Sequence, residues 1–185
     1  ITSSQWEYYS KLQKVINFGD IEITSLEYAF YRAINLVEVP NQLPIGITNM
    51  NFMFREAFVF NHNIGSWDVS SVISMKYMFY NAYIFNQDIG NWNVSNVTDM
   101  TNMFASSYQT MDFNQDIGNW DVSNVTSMVK MFWYSTAFNQ NISSWDLSSL
   151  TNMEKMFANA ISFNQDISSW DVSNVTNMHE VFYNA

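Results

Sequence analysis

The chain has 185 residues and is 48% hydrophobic, with 17 acidic against 7 basic residues, a net charge of −10 and no cysteine. That acidity has the wrong sign for a nucleic-acid surface. The lack of Cys excludes disulfides and thiolate metal sites, and no apolar run approaches the length of a membrane helix.

In chain order, the first predicted element is a helix over residues 4–17. It places Trp6, Tyr9, Leu12, Gln13 and Ile16 at helical spacing, with Ser4 and Glu7 as a capping box and Gly19 as its stop. Residues 1–20 are thus expected to form an N-terminal capping helix. No signal peptide is visible, and Ile1 is not a native start, so a preceding segment is expected to have been removed. Residues 21–59 hold two degenerate units: Ile23 leads to Phe30 and Ala33, and Ile47 leads to Met53, Phe54 and Ala57. A strand is expected near Leu36–Val39, before Pro40.

Residues 60–185 hold five regular units, starting at Phe60, Phe85, Phe113, Phe138 and Phe163. The period is 25 residues, and the copy at Phe85 is three residues longer, through Tyr108–Asp112. A fixed period of this size marks units that bury their apolar face only against their neighbours.

Within a unit, the second half reads Val-x-x-Met-x-x-Met-Phe-x-x-Ala. At helical rotation these positions fall within an arc of about 120°. A short helix is predicted there, with Ser70, Ser95, Ser123, Ser148 and Ser173 as N-caps. The first half reads as a short strand, a corner and a second extended piece. Its corner is Gly65, Gly90 or Gly118 in three copies and Ser143 or Ser168 in two, as close backbone approach would require. The predicted fold is an α/β solenoid, leucine-rich-repeat-like, with one short parallel strand and one short helix per 25-residue coil. Asn61, Asn86, Asn114, Asn139 and Asn164 hold one position throughout and are read as a structural asparagine ladder.

The recurring FNQDISSWDVSNVTNMxxMFxxA resembles the BspA-like surface-protein repeat, in the form found in mycoplasma and Listeria surface lipoproteins. The likeness is close over residues 60–185 and loose over 21–59. It implies a leucine-rich-repeat-like protein at a cell surface or secreted, with roles in adhesion and protein interaction, and it brings no catalytic motif.

Two acidic rows run through the repeats. One holds Asp88, Asp116 and Asp166, with Asn63 and Asn141 in the other copies; the second holds Asp68, Asp121, Asp146 and Asp171, with Asn93. Free exchange of Asp for Asn suits a hydrogen-bond acceptor at a turn better than calcium between coils, so no metal and no cofactor is expected. His62 and His179 fall at different repeat positions, and no phosphate loop, zinc spacing or nucleophile elbow occurs. The chain is not expected to be an enzyme.

Specificity is expected where units differ. Eight positions after the first Val, Ile or Leu of each helix-like stretch lie Tyr31, Arg55, Tyr80, Ala105, Trp133, Ala158 and Tyr183, predicted to face away from the core. The candidate ligand-binding residues are Tyr77, Tyr80, Tyr108, Trp133, Tyr134 and Tyr183. The expected function is a non-enzymatic cell-surface or secreted protein for adhesion or protein binding, its partner a protein or glycan at a cell surface. Alternatives are a carbohydrate-binding module using exposed Tyr and Trp, and a structural spacer in a larger surface protein or filament. A lattice binder using Thr98, Thr126, Thr151 and Thr176 is a remoter one, since Ile73 interrupts the row. The last unit should leave Ile167, Trp170, Val175, Met178 and Phe182 partly open, so the protein is expected to continue past Ala185 or to self-associate there.

Overall fold

The structure, a computed structural model, describes residues 10–107 and 109–185. Successive units lie one over the next in parallel register. Ser25 pairs with Asn49, and the row continues through Ser74, Asp99, Ser127, Asn152 and Asn177, each a single parallel bridge. Another bridge joins Lys14 to Glu38.

Among the described residues there is no helix and no sheet; apart from these bridges the chain is turn and irregular backbone. The expected α/β solenoid of leucine-rich-repeat type, with a helix and a strand in every coil, is therefore wrong. The capping helix is wrong in its described part, where Lys14 forms a bridge instead. Ser4, Trp6, Glu7 and Tyr9 lie outside the described residues. Near Leu36–Val39 only Glu38 pairs, so the strand expected there reduces to one bridge.

Overlapping β-turns stand where helices were expected. Over residues 75–82, the Met78 N–H donates to the Met75 carbonyl at 3.1 Å, Tyr80 to Tyr77 at 3.2 Å and Ala82 to Phe79 at 2.9 Å. The alternate N–H groups leave the unit. Those of Met75, Tyr77, Phe79 and Asn81 donate to Asp99, Thr101, Met103 and Ala105 of the next unit, at 3.1, 2.8, 2.9 and 2.9 Å. Every second donor thus closes a turn, and the rest bind the neighbour. The turns join Met75 to Met78 and Phe79 to Ala82, and all four are buried, while Tyr77 and Tyr80, joined in the same way, stay partly exposed.

The first and last of these turns carry left-handed backbone at their third position, as a type II turn requires, whereas the middle one, with Phe79 third, does not. Tyr77 and Asn81 have φ of 57° and 59°; Lys130 and Tyr134, and Lys155 and Asn159, repeat the pair at 54° to 61°. Only Gly adopts this region freely, and for other residues it costs about 1–2 kcal/mol each. Each inter-unit hydrogen bond returns about 0.5–1.5 kcal/mol net. The strained positions therefore persist only because the stack satisfies them.

The core lies between the turn chain and the irregular first half. Phe54, Phe79, Phe104, Phe132 and Phe157 form one stacked row, 5.6–5.8 Å between ring centroids. Phe60, Phe85, Phe113, Phe138 and Phe163 form a second row at 5.9–6.2 Å. Each buried Trp adds a polar tie to the preceding unit: the Trp92 indole N–H donates to Ile64 and Trp120 to Ile89, both at 3.1 Å. In the last unit Met178 and Phe182 are about half exposed, at 46% and 48%.

Candidate functional site

Side-chain ladders form the spine on which any site rests. Asn61 Oδ1 accepts the backbone N–H of Asn86 and the Gln87 amide, both at 2.9 Å. The same pair of bonds recurs from Asn86 to Asn114 and Gln115, from Asn114 to Asn139 and Gln140, and from Asn139 to Asn164 and Gln165. A threonine row also runs from unit to unit: Thr126 Oγ1 donates to the Thr98 carbonyl, Thr151 to Thr126 and Thr176 to Thr151. The side-chain amides of Asn96, Asn124 and Asn174 donate to the carbonyls of Ser70, Ser95 and Ser148.

Both acidic rows make tight local turns. Asp88 Oδ1 accepts the Gly90 N–H and Asp116 the Gly118 N–H, each at 2.9 Å, as Asn63 does for Gly65. Asp68 and Asp121 each accept both the hydroxyl and the N–H of the serine two residues on. Those serines are not helix N-caps. Their hydroxyls, then their N–H groups, hold Asp68 and Asp121 below the usual carboxylate range. For Asp166 and Asp171 the N–H of Ser168 and Ser173 is the larger cause. Among the described residues no group of three or more His, Asp or Glu is placed to hold a metal ion.

Residues that vary between units collect on the turn chain. At its first left-handed position, Tyr28, Phe52 and Tyr77 stack face to face, with centroids 4.6 and 4.9 Å apart and planes within 6° and 11°. The Arg55 guanidinium lies 5.0–5.8 Å from the centroids of Tyr31, Phe52, Tyr77 and Tyr80. Arg32 Nε donates to Glu56 Oε2 at 2.8 Å. Beside this patch is a cavity of about 320 Å³, lined by Arg32, Arg55, Glu56, Phe58, Tyr80, Asn81, Tyr83 and Ser107.

The expected site residues therefore separate. Tyr77 and Tyr80 join the aromatic–arginine patch, their centroids 5.3 Å apart. Trp133 and Tyr134 meet edge to face at 5.1 Å farther along the stack, with Lys130 over Trp133 at 5.0 Å. Tyr183 is exposed on the last unit, and Tyr108 lies outside the described residues. The two groups are parted by Asn102 and Ala105, both buried, which interrupt the row. Ala158 is buried as well, so the eighth position does not uniformly face outward. Sequence reasoning missed Tyr28, Phe52, Arg32 and Glu56 as members of the patch. Arg55, the one cation at its repeat position, was the available signal.

These features define a repeat protein: turn-built units, a recurring polar spine and one variable side. Family comparison agrees, since residues 24–110 and 105–185 match the family described as Mycoplasma protein of unknown function, DUF285, and the chain belongs to that family. None of the curated proteins matches it. No solved structure matches it either. Among the described residues no helix is long and apolar enough to cross a membrane.

Proposed function

We propose that this is a non-enzymatic cell-surface or secreted protein of BspA-like type that binds a protein partner through the variable side of its turn chain. The observation that carries the reading is the patch of Tyr28, Tyr31, Phe52, Arg55, Tyr77 and Tyr80. Tyr and Arg dominate protein-binding hot spots, and here they gather where the repeat pattern does not require them. The spine residues cannot discriminate a partner in the same way, because Asn, Gln and Thr there repeat from unit to unit and hydrogen-bond one another.

The carbohydrate alternative fits less well. Sugar stacking needs an open ring face, yet the faces of Phe52 are covered by Tyr28 and Tyr77. Arg55 lies over Tyr80, and Lys130 over Trp133. At Phe52 only the ring edge is left to a partner, and at Tyr80 and Trp133 a cation already occupies a place over the ring. The test is parallel screening of the 185-residue chain on protein and glycan arrays. Protein binding that Tyr77→Ala with Tyr80→Ala weakens at least tenfold, at unchanged fold, is the expected result. Binding to glycans alone contradicts the reading.

A further inference from the structure

Stacked rings set a length along the turn chain. Tyr28, Phe52 and Tyr77 follow one another at 4.6 and 4.9 Å, so the row runs about 9.5 Å from its first ring to its third. Tyr80 stands beside Tyr77 at 5.3 Å, with its plane turned by 55°. Tyr28, at the other end, is 49% exposed, and Phe52, Tyr77 and Tyr80 are half-buried. The hydroxyls of Tyr28, Tyr77 and Tyr80 donate to none of the described residues. The two ends differ in charge. Glu27, next to Tyr28, is exposed, and its carboxylate accepts only the Asn49 amide, at 3.4 Å. Lys76, next to Tyr77, stands 4.0 Å from Asp99.

We propose that this row receives a proline-rich segment of the protein partner in polyproline II conformation, with a basic residue beside Glu27. Register decides the conformation. A polyproline II helix repeats every three residues, about 9.3 Å, within a few tenths of an ångström of the two ring steps. Residues i and i+3 of such a segment meet Tyr28 and Tyr77 in the same way, with Phe52 under the turn between them. An α-helix returns a side chain about every 5.4 Å and is out of step by about 1.3 Å after two rings. A strand presents side chains to one face about every 6.7 Å and matches neither one step nor two. The chemistry agrees. Polyproline II leaves its carbonyls unpaired, and the three tyrosine hydroxyls are donors along the row. Proline rings are apolar and lie on ring edges, which are what the stack leaves open at Phe52. Such a segment is ordered before it binds, so little freedom is lost on docking. Charge complementarity places the base. Glu27 attracts it at the Tyr28 end, Lys76 repels it at the other, and a chain of net charge −10 draws a cationic partner. The inference rests on the protein-binding reading above and names the conformation and composition of the partner's segment.

The experiment titrates the whole ¹⁵N-labelled chain with three synthetic peptides, following the Tyr28, Phe52, Tyr77 and Tyr80 amides by NMR. The first peptide is a run of Pro-Pro-Leu repeats with Arg at both ends. The second has Ala for every Pro, and the third has Glu for both Arg. The first is expected to give a saturable shift at the four amides, the second to bind at least tenfold more weakly and the third at least threefold. These contrasts need no variant of the chain. Glu27→Gln, an exposed substitution, is expected to bind the first peptide about threefold more weakly, with a shallower salt dependence and an unchanged thermal midpoint. No saturable shift at the rings, or a second peptide that binds as well as the first, overturns the proline-rich segment. An equal response to the third peptide, or an unaltered affinity in Glu27→Gln, overturns the pairing of its base with Glu27. A negative titration, with array-partner binding still lost in the Tyr77 and Tyr80 variant, overturns this inference and leaves the surface standing. Peptide binding at the rings, with the array partner indifferent to those tyrosines, supports this inference and overturns the surface as that partner's site.

Discussion

The side-chain oxygen of Asn86 accepts the backbone N–H of Asn114, 28 residues later, at 3.0 Å. It also accepts the Gln115 amide at 2.9 Å. One oxygen thus satisfies a backbone donor that no sheet is present to pair, and it sets the register of two units.

Removing that oxygen should be costly. Asn86→Ala leaves the half-buried Asn114 N–H without its acceptor, and the expected loss is about 1–3 kcal/mol. Asn86→Asp keeps the acceptor and should lose less. Urea unfolding at neutral pH measures both, and equal losses would show that the ladder oxygen is not what matters.

Close approach of units predicts a second effect. A Cβ built on Gly90 would stand 2.5 Å from the Asp116 carbonyl oxygen, and one on Gly118 would stand 2.6 Å from that of Asn141. A backbone oxygen cannot swing aside, so Gly90→Ala must push two units apart, at an expected cost of about 1–3 kcal/mol. The units bearing Ser143 and Ser168 already accommodate a Cβ, so Ser143→Ala should change thermal stability little. A Gly90→Ala midpoint equal to the unsubstituted one would contradict the packing.

Left-handed residues separate this architecture from a helix. Lys130 has φ 54°, and its N–H donates to the Glu154 carbonyl at 2.8 Å. Glycine there relieves backbone strain, so Lys130→Gly should leave stability unchanged or raise it by up to about 1 kcal/mol, where a helix interior would lose about that much. Lys130→Pro can adopt neither the angle nor the hydrogen bond, and should cost about 3 kcal/mol or more. Chemical denaturation of the pair reads the contrast.

The acidic turns set the pH response. Asp68, Asp121, Asp166 and Asp171 are held below the usual carboxylate range by the serines that follow them, and Glu38 by the hydrogen bond and charge of Lys14. A carboxyl lowered in the folded state stabilises above its unfolded pKa, and that contribution is lost as pH falls through the folded pKa. The thermal midpoint should therefore be level from about pH 5 to 7 and fall below about pH 4. Replacing the four aspartates by Asn should flatten the decline. Because the Oδ1 atoms already accept N–H groups, excess chelator at pH 7 should leave the midpoint in place, and a drop of more than about 10 °C would reveal a structural metal.

Much of the spine was legible in the sequence. The 25-residue period, the constancy of Asn86 and its equivalents, the exchange of Asp for Asn and the small corner at Gly90 each reflect a bond or contact now visible. The helix was misread because spacing of three and four residues is common to helices and to overlapping β-turns. Met75, Met78, Phe79 and Ala82 satisfy either. What distinguishes them is backbone handedness, and Tyr28, Phe52, Lys130 and Glu180 carry no sign of it, since such residues rarely adopt φ above zero. Asn81, Asn159 and Asn184, all left-handed at one repeat position, were the clue available. The binding patch was half legible. Tyr77 and Tyr80 stood out as variable aromatics, but their partnership with Arg55 and Phe52 depends on which positions the turn chain brings side by side.

The central claim is that alternate N–H groups of the turn chain bind the next unit rather than their own, leaving the variable side chains outside a hydrogen-bonded spine. Scalar coupling across hydrogen bonds in the labelled chain tests this most directly. The account expects the Phe79 nitrogen to couple to the carbonyl carbon of Met103, and those of Tyr77 and Asn81 to Thr101 and Ala105. Coupling of Phe79 to Met75, four residues earlier, would make the segment a helix and contradict the account.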